Sequence, residues 1–179
     1  TEVIKAVRLM NLPTGLNIGY RHITISTSGI VPGIVRLVDE KIPVTLSVSL
    51  HAPDDATRTE LMPINKRYNI SKVLDACERY TKATGRRVTF EYILIQDVND
   101  SLDQATKLAR LLREMLCHVN LIPINPTSDT AYYRPTQETV VAFAKVLTDA
   151  GIPVTVRREL GVDIDAACGQ LRRRYLSMH

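Results

Sequence analysis

Tryptophan is missing from this chain and phenylalanine occurs only twice, so aromatic residues make up just 5% of it. A core must therefore come mainly from branched aliphatic side chains and not from packed rings. Cysteine is scarce as well. Three in 179 residues leave at least one thiol unpaired, which favours a reducing, cytoplasmic setting over a disulfide-stapled secreted fold. No apolar run approaches the roughly 18 residues of a membrane helix, and no basic-then-apolar leader is present, so no membrane partner is expected. No Gly-x-Gly-x-x-Gly follows a strand pattern and no Walker-type loop occurs, which leaves dinucleotide and P-loop readings without support. Cys77, Cys117 and Cys168 stand 40 and 51 residues apart, too far for a CxxC or CxxxCxxC site. The four histidines show no ligand spacing either, so no metal ligands are expected within the chain.

What is present is ordinary in bulk: 45% hydrophobic and 23% charged residues, with a length that suits one domain. The net charge of +4 is mild, but its distribution is uneven. Basic residues gather at Arg86-Arg87, Arg157-Arg158 and Arg172-Arg173-Arg174. Such clusters fit phosphate contacts with a nucleic acid as readily as solvated helix ends. The chain opens without methionine on a pattern that already reads as an amphipathic helix through Ile4 and Val7. An uncapped helical start leads to the expectation that this is a piece of a longer protein.

Five short β-branched, apolar runs begin at Ile23, Val44, Val88, Val119 and Val154. Most look continuously apolar, as in strands covered by helices. Between them, Ile70, Val73, Leu74 and Cys77 share a helical face with Asn69 as N-cap. Ala105, Leu108, Leu112 and Met115 share another, opened by a Ser101–Gln104 capping box. Val140, Phe143, Ala144 and Leu147 form a third, closed by Gly151. The spacing predicts repeated strand–helix units and a parallel α/β sheet, either barrel-like or doubly wound.

Chemistry in such sheets collects where the strands end. Those ends carry Ser26 in the first run, Ser49-Leu50-His51 after the second, Asn125 before a proline after the fourth, and Arg157-Arg158 after the fifth; Glu91 interrupts the third. Short hydrogen-bonding groups without strong fixed charge suit a polar ligand such as a nucleoside. The competing reading is that these residues cap the helices that follow. Cys77 and Cys117 read as core. Cys168 lies in the Gly-bounded stretch "GVDIDAACGQL", where Asp163 and Asp165 should raise a thiol's pKa and argue against a standing nucleophile.

The strings "ITISTSGIVPGI", "LSVSLHAPDDATRTELMPINKRYNI", "VTFEYILIQDVND", "NLIPINP" and "GVDIDAACGQL" closely resemble the C-terminal part of the RlmN family, in order, from about Ala6 to Tyr175. That family comprises radical S-adenosylmethionine (SAM) enzymes that methylate C2 of an adenine in 23S rRNA and in certain tRNAs. The resemblance implies an incomplete (β/α) barrel of the radical SAM type, with parallel strands and flanking helices. Ser26, Ser49, Leu50, His51 and Asn125 match SAM-contacting residues, and Cys168 matches the cysteine that becomes methylated. In that family one SAM methylates the thiol and a second, cleaved at a 4Fe–4S cluster, yields the radical that activates the S-methyl group. A second cysteine then resolves the protein–RNA link.

The family's CxxxCxxC motif, its Gly-Glu-Pro segment and that resolving cysteine precede the matched region. Residues 1–179 are thus expected to be the C-terminal part of a catalytic domain, binding no cluster and inactive alone. The expected partners are 23S rRNA and tRNA, with no obligate protein partner, although opened strand edges could promote self-association. The rivals are a Cfr-type enzyme acting at C8 and a non-catalytic RNA-binding module working through its arginine clusters.

Overall fold

The computed structural model describes residues 2–125 and 131–157. Helix α1 (Glu2–Asn11) buries Ile4 and Val7, as their spacing requires. After a single 3-10 turn at Tyr20–His22 come β1 (Thr24–Thr27), α2 (Val31–Asp39) and β2 (Thr45–Ser49). They are followed by α3 (Asp55–Leu61), a 3-10 turn at Pro63–Lys66, α4 (Ile70–Thr84) and β3 (Val88–Leu94). Helix α5 (Leu102–Leu112), β4 (Cys117–Pro123), α6 (Gln137–Asp149) and β5 (Val154–Val156) complete the order.

The helices begin and end where side-chain chemistry tells them to. Asn69 accepts from the Lys72 amide to open α4, and Ser101 and Gln104 form a reciprocal capping box on α5. Gly85 and Gly151, both at positive φ, follow α4 and α6. Helices α2 and α3 are additions to the spacing-based reading. Each is short, and α2 carries Pro32 in its first turn, where a missing amide hydrogen costs nothing.

All five strands are parallel and lie in the order β1-β2-β3-β4-β5. That order decides between the two alternatives, because a doubly wound sheet reverses direction and this one does not. Helix α2 packs against α4 and α5 against α6, the arrangement that right-handed crossovers between successive neighbours produce. The helix-covered face carries Leu46, Val48, Val88, Phe90, Tyr92, Leu94, Cys117, Val119 and Leu121, all buried. Two rings anchor the layers despite the shortage of aromatics. Tyr92 packs on Phe143 of α6 with centroids 5.3 Å apart, and the buried Tyr80 of α4 reaches the Val44 carbonyl at 2.7 Å. The two cysteines within the described residues sit in this core, as their positions predict. Among the described residues no helix is long and apolar enough to cross a membrane.

Burial alternates strictly along β3 and β4, which departs from the continuously apolar reading. The apolar residues on the second face of these strands, Ile93 and Ile122, hide the period-2 signal in the sequence.

Candidate functional site

The second face of the sheet is polar. Strand register sets Ser49, Glu91, Asn120 and Thr155 side by side across β2 to β5, and Ser26, Ser47, Thr89 and His118 one pleat earlier across β1 to β4. Glu91 ties three strands together at the centre: Ser47 Oγ donates to its Oε1 at 2.7 Å and Asn120 Nδ2 to its Oε2 at 2.8 Å. A carboxylate has about four acceptor positions, so two of them remain for another donor.

Because the strands are parallel, Ser26, Ser49, His51 and Asn125 lie toward the same end of the sheet. Ser26 is exposed, while Ser49, His51 and Asn125 are half-buried. Ser26 and Ser49 sit on adjacent strands two residues apart in register, which strand geometry converts to about 8 Å. Leu50 is different. Its side chain is fully buried in the core, and it can serve a ligand only through the chain path it sets. Its amide donates to the Glu91 carbonyl at 3.0 Å and its carbonyl accepts from Arg58. Cys168 and Arg158 lie outside the described residues, as do Arg172 to Arg174.

Two buried polar groups hold this end in shape, and neither stood out in the sequence. Arg58 of α3 is fully buried and spends its guanidinium on five neutral acceptors. It donates to the carbonyls of Leu50 (3.1 Å), Ser49 (3.2 Å), Ser28 (3.1 Å) and Tyr68 (3.0 Å), and to Asn65 Oδ1 (2.7 Å). The loop after β1, the end of β2 and the segment before α4 are thereby fastened to one side chain. Gly29 fits beside it for two reasons: its φ is +91°, and a Cβ would stand 2.9 Å from Arg58 Nη2 and 3.0 Å from Val73 Cγ2.

The second group is Asn99, also fully buried. Its Nδ2 donates to the carbonyls of His51 (2.8 Å) and Ile93 (2.7 Å), and its Oδ1 accepts from the Ile95 amide (2.7 Å). His51 itself adopts a φ of +60°, and its Nδ1 accepts from the Ile93 amide at 3.1 Å. An Nδ1 that accepts leaves the ring proton on Nε2. Burial, reinforced by the Arg58 charge and opposed by a hydrogen bond to the Glu91 main chain, lowers the His51 pKa from 6.5 to about 4. The imidazole is therefore neutral at physiological pH, with Nε2–H as its one ring donor.

The donor set is thus two hydroxyls, a neutral imidazole and a carboxamide, above a face whose central carboxylate keeps free acceptor positions. This chemistry fits a nucleoside carrying amino, hydroxyl and cationic groups, and it fits a bare phosphate poorly. A groove of about 540 Å³ lies on the helix layer between α4 and α5, lined by Pro53, Asp54, Leu74, Glu78, Arg110 and Met115 among others. Among the described residues there is no group of three or more His, Cys, Asp or Glu side chains able to hold a metal.

The model of the radical SAM superfamily matches residues 2–112. A crystal structure of a radical SAM methyltransferase from Sphaerobacter thermophilus superposes with a TM-score of 0.89 at 54% identity, over 94% of this chain and 49% of that one. A protein of Symbiobacterium thermophilum named "Probable dual-specificity RNA methyltransferase RlmN" is 57% identical over 179 residues, 99% of this chain and 48% of its own length. One of the same name from Thermoanaerobacter sp. (strain X514) is 55% identical over 175 residues, 98% of this chain and 51% of its own. The chain spans about half the length of the curated relatives it matches.

Proposed function

Because the chain belongs to the radical SAM superfamily, we propose that it is the later part of the catalytic domain of an RNA methyltransferase acting on C2 of adenine in 23S rRNA and tRNA. The observation that supports this most is the gathering of Ser26, Ser49, His51 and Asn125 at one end of a sequentially ordered parallel sheet. Two relatives more than half identical to this chain over nearly all of its length are named "Probable dual-specificity RNA methyltransferase RlmN". The setting is cytoplasmic, where rRNA and tRNA are modified.

SAM and a 4Fe–4S cluster supply the methyl group and the radical chemistry when bound. The residues described here fit the first of these; the cysteines that would hold the cluster belong to a CxxxCxxC segment that this chain does not contain. Ser26 and Ser49 offer hydroxyls to the nucleoside, His51 donates from Nε2, and Asn125 supplies both a donor and an acceptor. Asn99 and Arg58 keep His51 and Ser49 in place. Cys168 carries the methyl group on its thiol.

Titration calorimetry of the chain with SAM tests the site. Binding should be measurable, and Ser26→Ala or His51→Ala should weaken it about tenfold, the scale of one hydrogen bond lost to a partner left unpaired. Unchanged affinity in both variants would remove the strand ends from the site. In the complete enzyme, mass spectrometry of the modified RNA should place the methyl on C2; a methyl on C8 would replace this reading with the Cfr-type activity.

A further inference from the structure

The opposite end of the sheet, where the strands begin, carries a band of basic residue types that the SAM site does not use. Arg21 and His22 precede β1, Lys41 precedes β2, Arg86 and Arg87 precede β3, and His118 is the second residue of β4. Arg21, His22 and Arg86 are linked through hydrogen bonds. Arg21 Nε donates to His22 Nε2 at 3.1 Å, Thr45 Oγ1 reaches the Arg21 carbonyl at 3.4 Å, and Arg86 Nη2 reaches the same Thr45 Oγ1 at 3.4 Å. Register places Thr89, two residues beyond Arg87, beside His118, and the positive charge of Arg87 contributes to lowering the pKa of that histidine, after burial.

Two features set this band apart from ordinary solvated charge. Lys5, Arg36, Lys82, Lys107 and Lys145 each pair with a carboxylate three or four residues away, the usual arrangement on a helix surface. No ion pair of this kind involves Arg21, Arg86 or Arg87 among the described residues. Glu40, a carboxylate near the same end, is already taken by Arg8 and Arg36. The second feature is Arg86 itself. Its Nε is buried with no acceptor, and its contact to Thr45 is at the long limit for a hydrogen bond. A guanidinium held this way has donors to spare, and among the described residues no carboxylate pairs with it.

We propose that this rim binds the phosphodiester backbone of the RNA substrate, a reading that rests on the methyltransferase function above. Arg21, Arg86 and Arg87 supply the phosphate contacts, with Lys41 extending the cationic surface. The contacts are made by charge and fork geometry, so they position the RNA without reading its sequence. β3 is seven residues long, which puts about 20 Å between the rim and the nucleoside end. A folded RNA larger than that can touch both; a small nucleoside cannot.

Fluorescence anisotropy of a labelled single-stranded RNA, titrated with the full chain over a range of NaCl concentrations, tests the proposal. Each lost phosphate contact reduces the slope of log affinity against log salt by about 0.7 for a single strand. The triple variant Arg21→Gln, Arg86→Gln, Arg87→Gln should lose about 2 from that slope and bind at least tenfold more weakly at low salt, equally for RNAs of different sequence. The corresponding triple lysine variant should recover most of the slope and calorimetric SAM affinity should be unchanged in both, which separates this rim from the SAM site. Wild-type chain that fails to bind RNA at low salt, an unchanged slope in the glutamine variant, or equal loss in the lysine variant would each overturn the proposal. Intact SAM binding in any of these cases would leave the function proposed above standing, whereas loss of SAM binding by the strand-end variants alone leaves the rim untouched.

Discussion

His51 carries the most testable chemistry at the scale of single residues. Folded, it stays neutral down to about pH 4; unfolded, it takes a proton below its ordinary 6.5. Over the interval between, the unfolded chain binds more protons than the folded one. Acid therefore favours unfolding there, and stability falls as pH drops from 6.5 toward 4 while remaining flat above it. Urea midpoints should track this with a slope of about 1 kcal/mol per pH unit, and His51→Gln should flatten that stretch. The two core thiols offer a second check. Burial pushes Cys77 up to about 12 and Cys117 up to about 11. Neither should react with iodoacetamide near neutral pH until the chain is unfolded, as peptide mass spectrometry would record.

Legibility differed sharply from residue to residue. The shared end at which Ser26, Ser49, His51 and Asn125 lie could be read because a parallel sheet gathers its strand ends, and strand ends are visible as the last residues of β-branched runs. Glu91 was noticed only as an interruption. Its partners Ser47 and Asn120 escaped because Ile93 and Ile122 lie on the same face and blur the alternation that would have grouped the polar positions. Arg58 looks like any helical arginine until its five acceptors, spread from Ser28 to Tyr68, are brought around it. Nothing local in a sequence records that.

At the scale of elements, the turn after β1 is the sensitive point. Gly29→Ala meets both a positive φ and two close side chains, so it should cost about 3 kcal/mol or more in chemical denaturation. Gly85→Ala makes the natural control, since its φ is also positive but its Cβ would enter open space; about 1 kcal/mol is expected there. Similar costs at the two sites would mean that Arg58 and Val73 give way easily. The caps of α4, α5 and α6 were readable because each depends on one or two residues at fixed offsets. Helices α2 and α3 were not, because 9 and 7 residues give too few turns for a periodic signal to stand clear.

For the molecule as a whole, strand spacing alone left barrel-like and doubly wound sheets open, and only the lateral order of the strands separated them. The cysteine arithmetic bears at this scale too. With thiols at 77, 117 and 168, iron–sulfide reconstitution of this chain alone should give no visible 4Fe–4S absorption. A stable cluster spectrum would require a ligand set that the sequence spacing does not provide.

Ser26 lies in β1, His51 follows β2 and Asn125 follows β4, so each belongs to a different strand unit of the sheet. A small molecule spanning them clamps three folding units at once, so its occupancy is thermodynamically linked to cooperative unfolding of the domain and not to one loop. Saturating SAM at a hundred times its dissociation constant would then add about 2.7 kcal/mol to global stability. The melting transition should move upward as a single step, and amide exchange should slow in β1, β2 and β4 together.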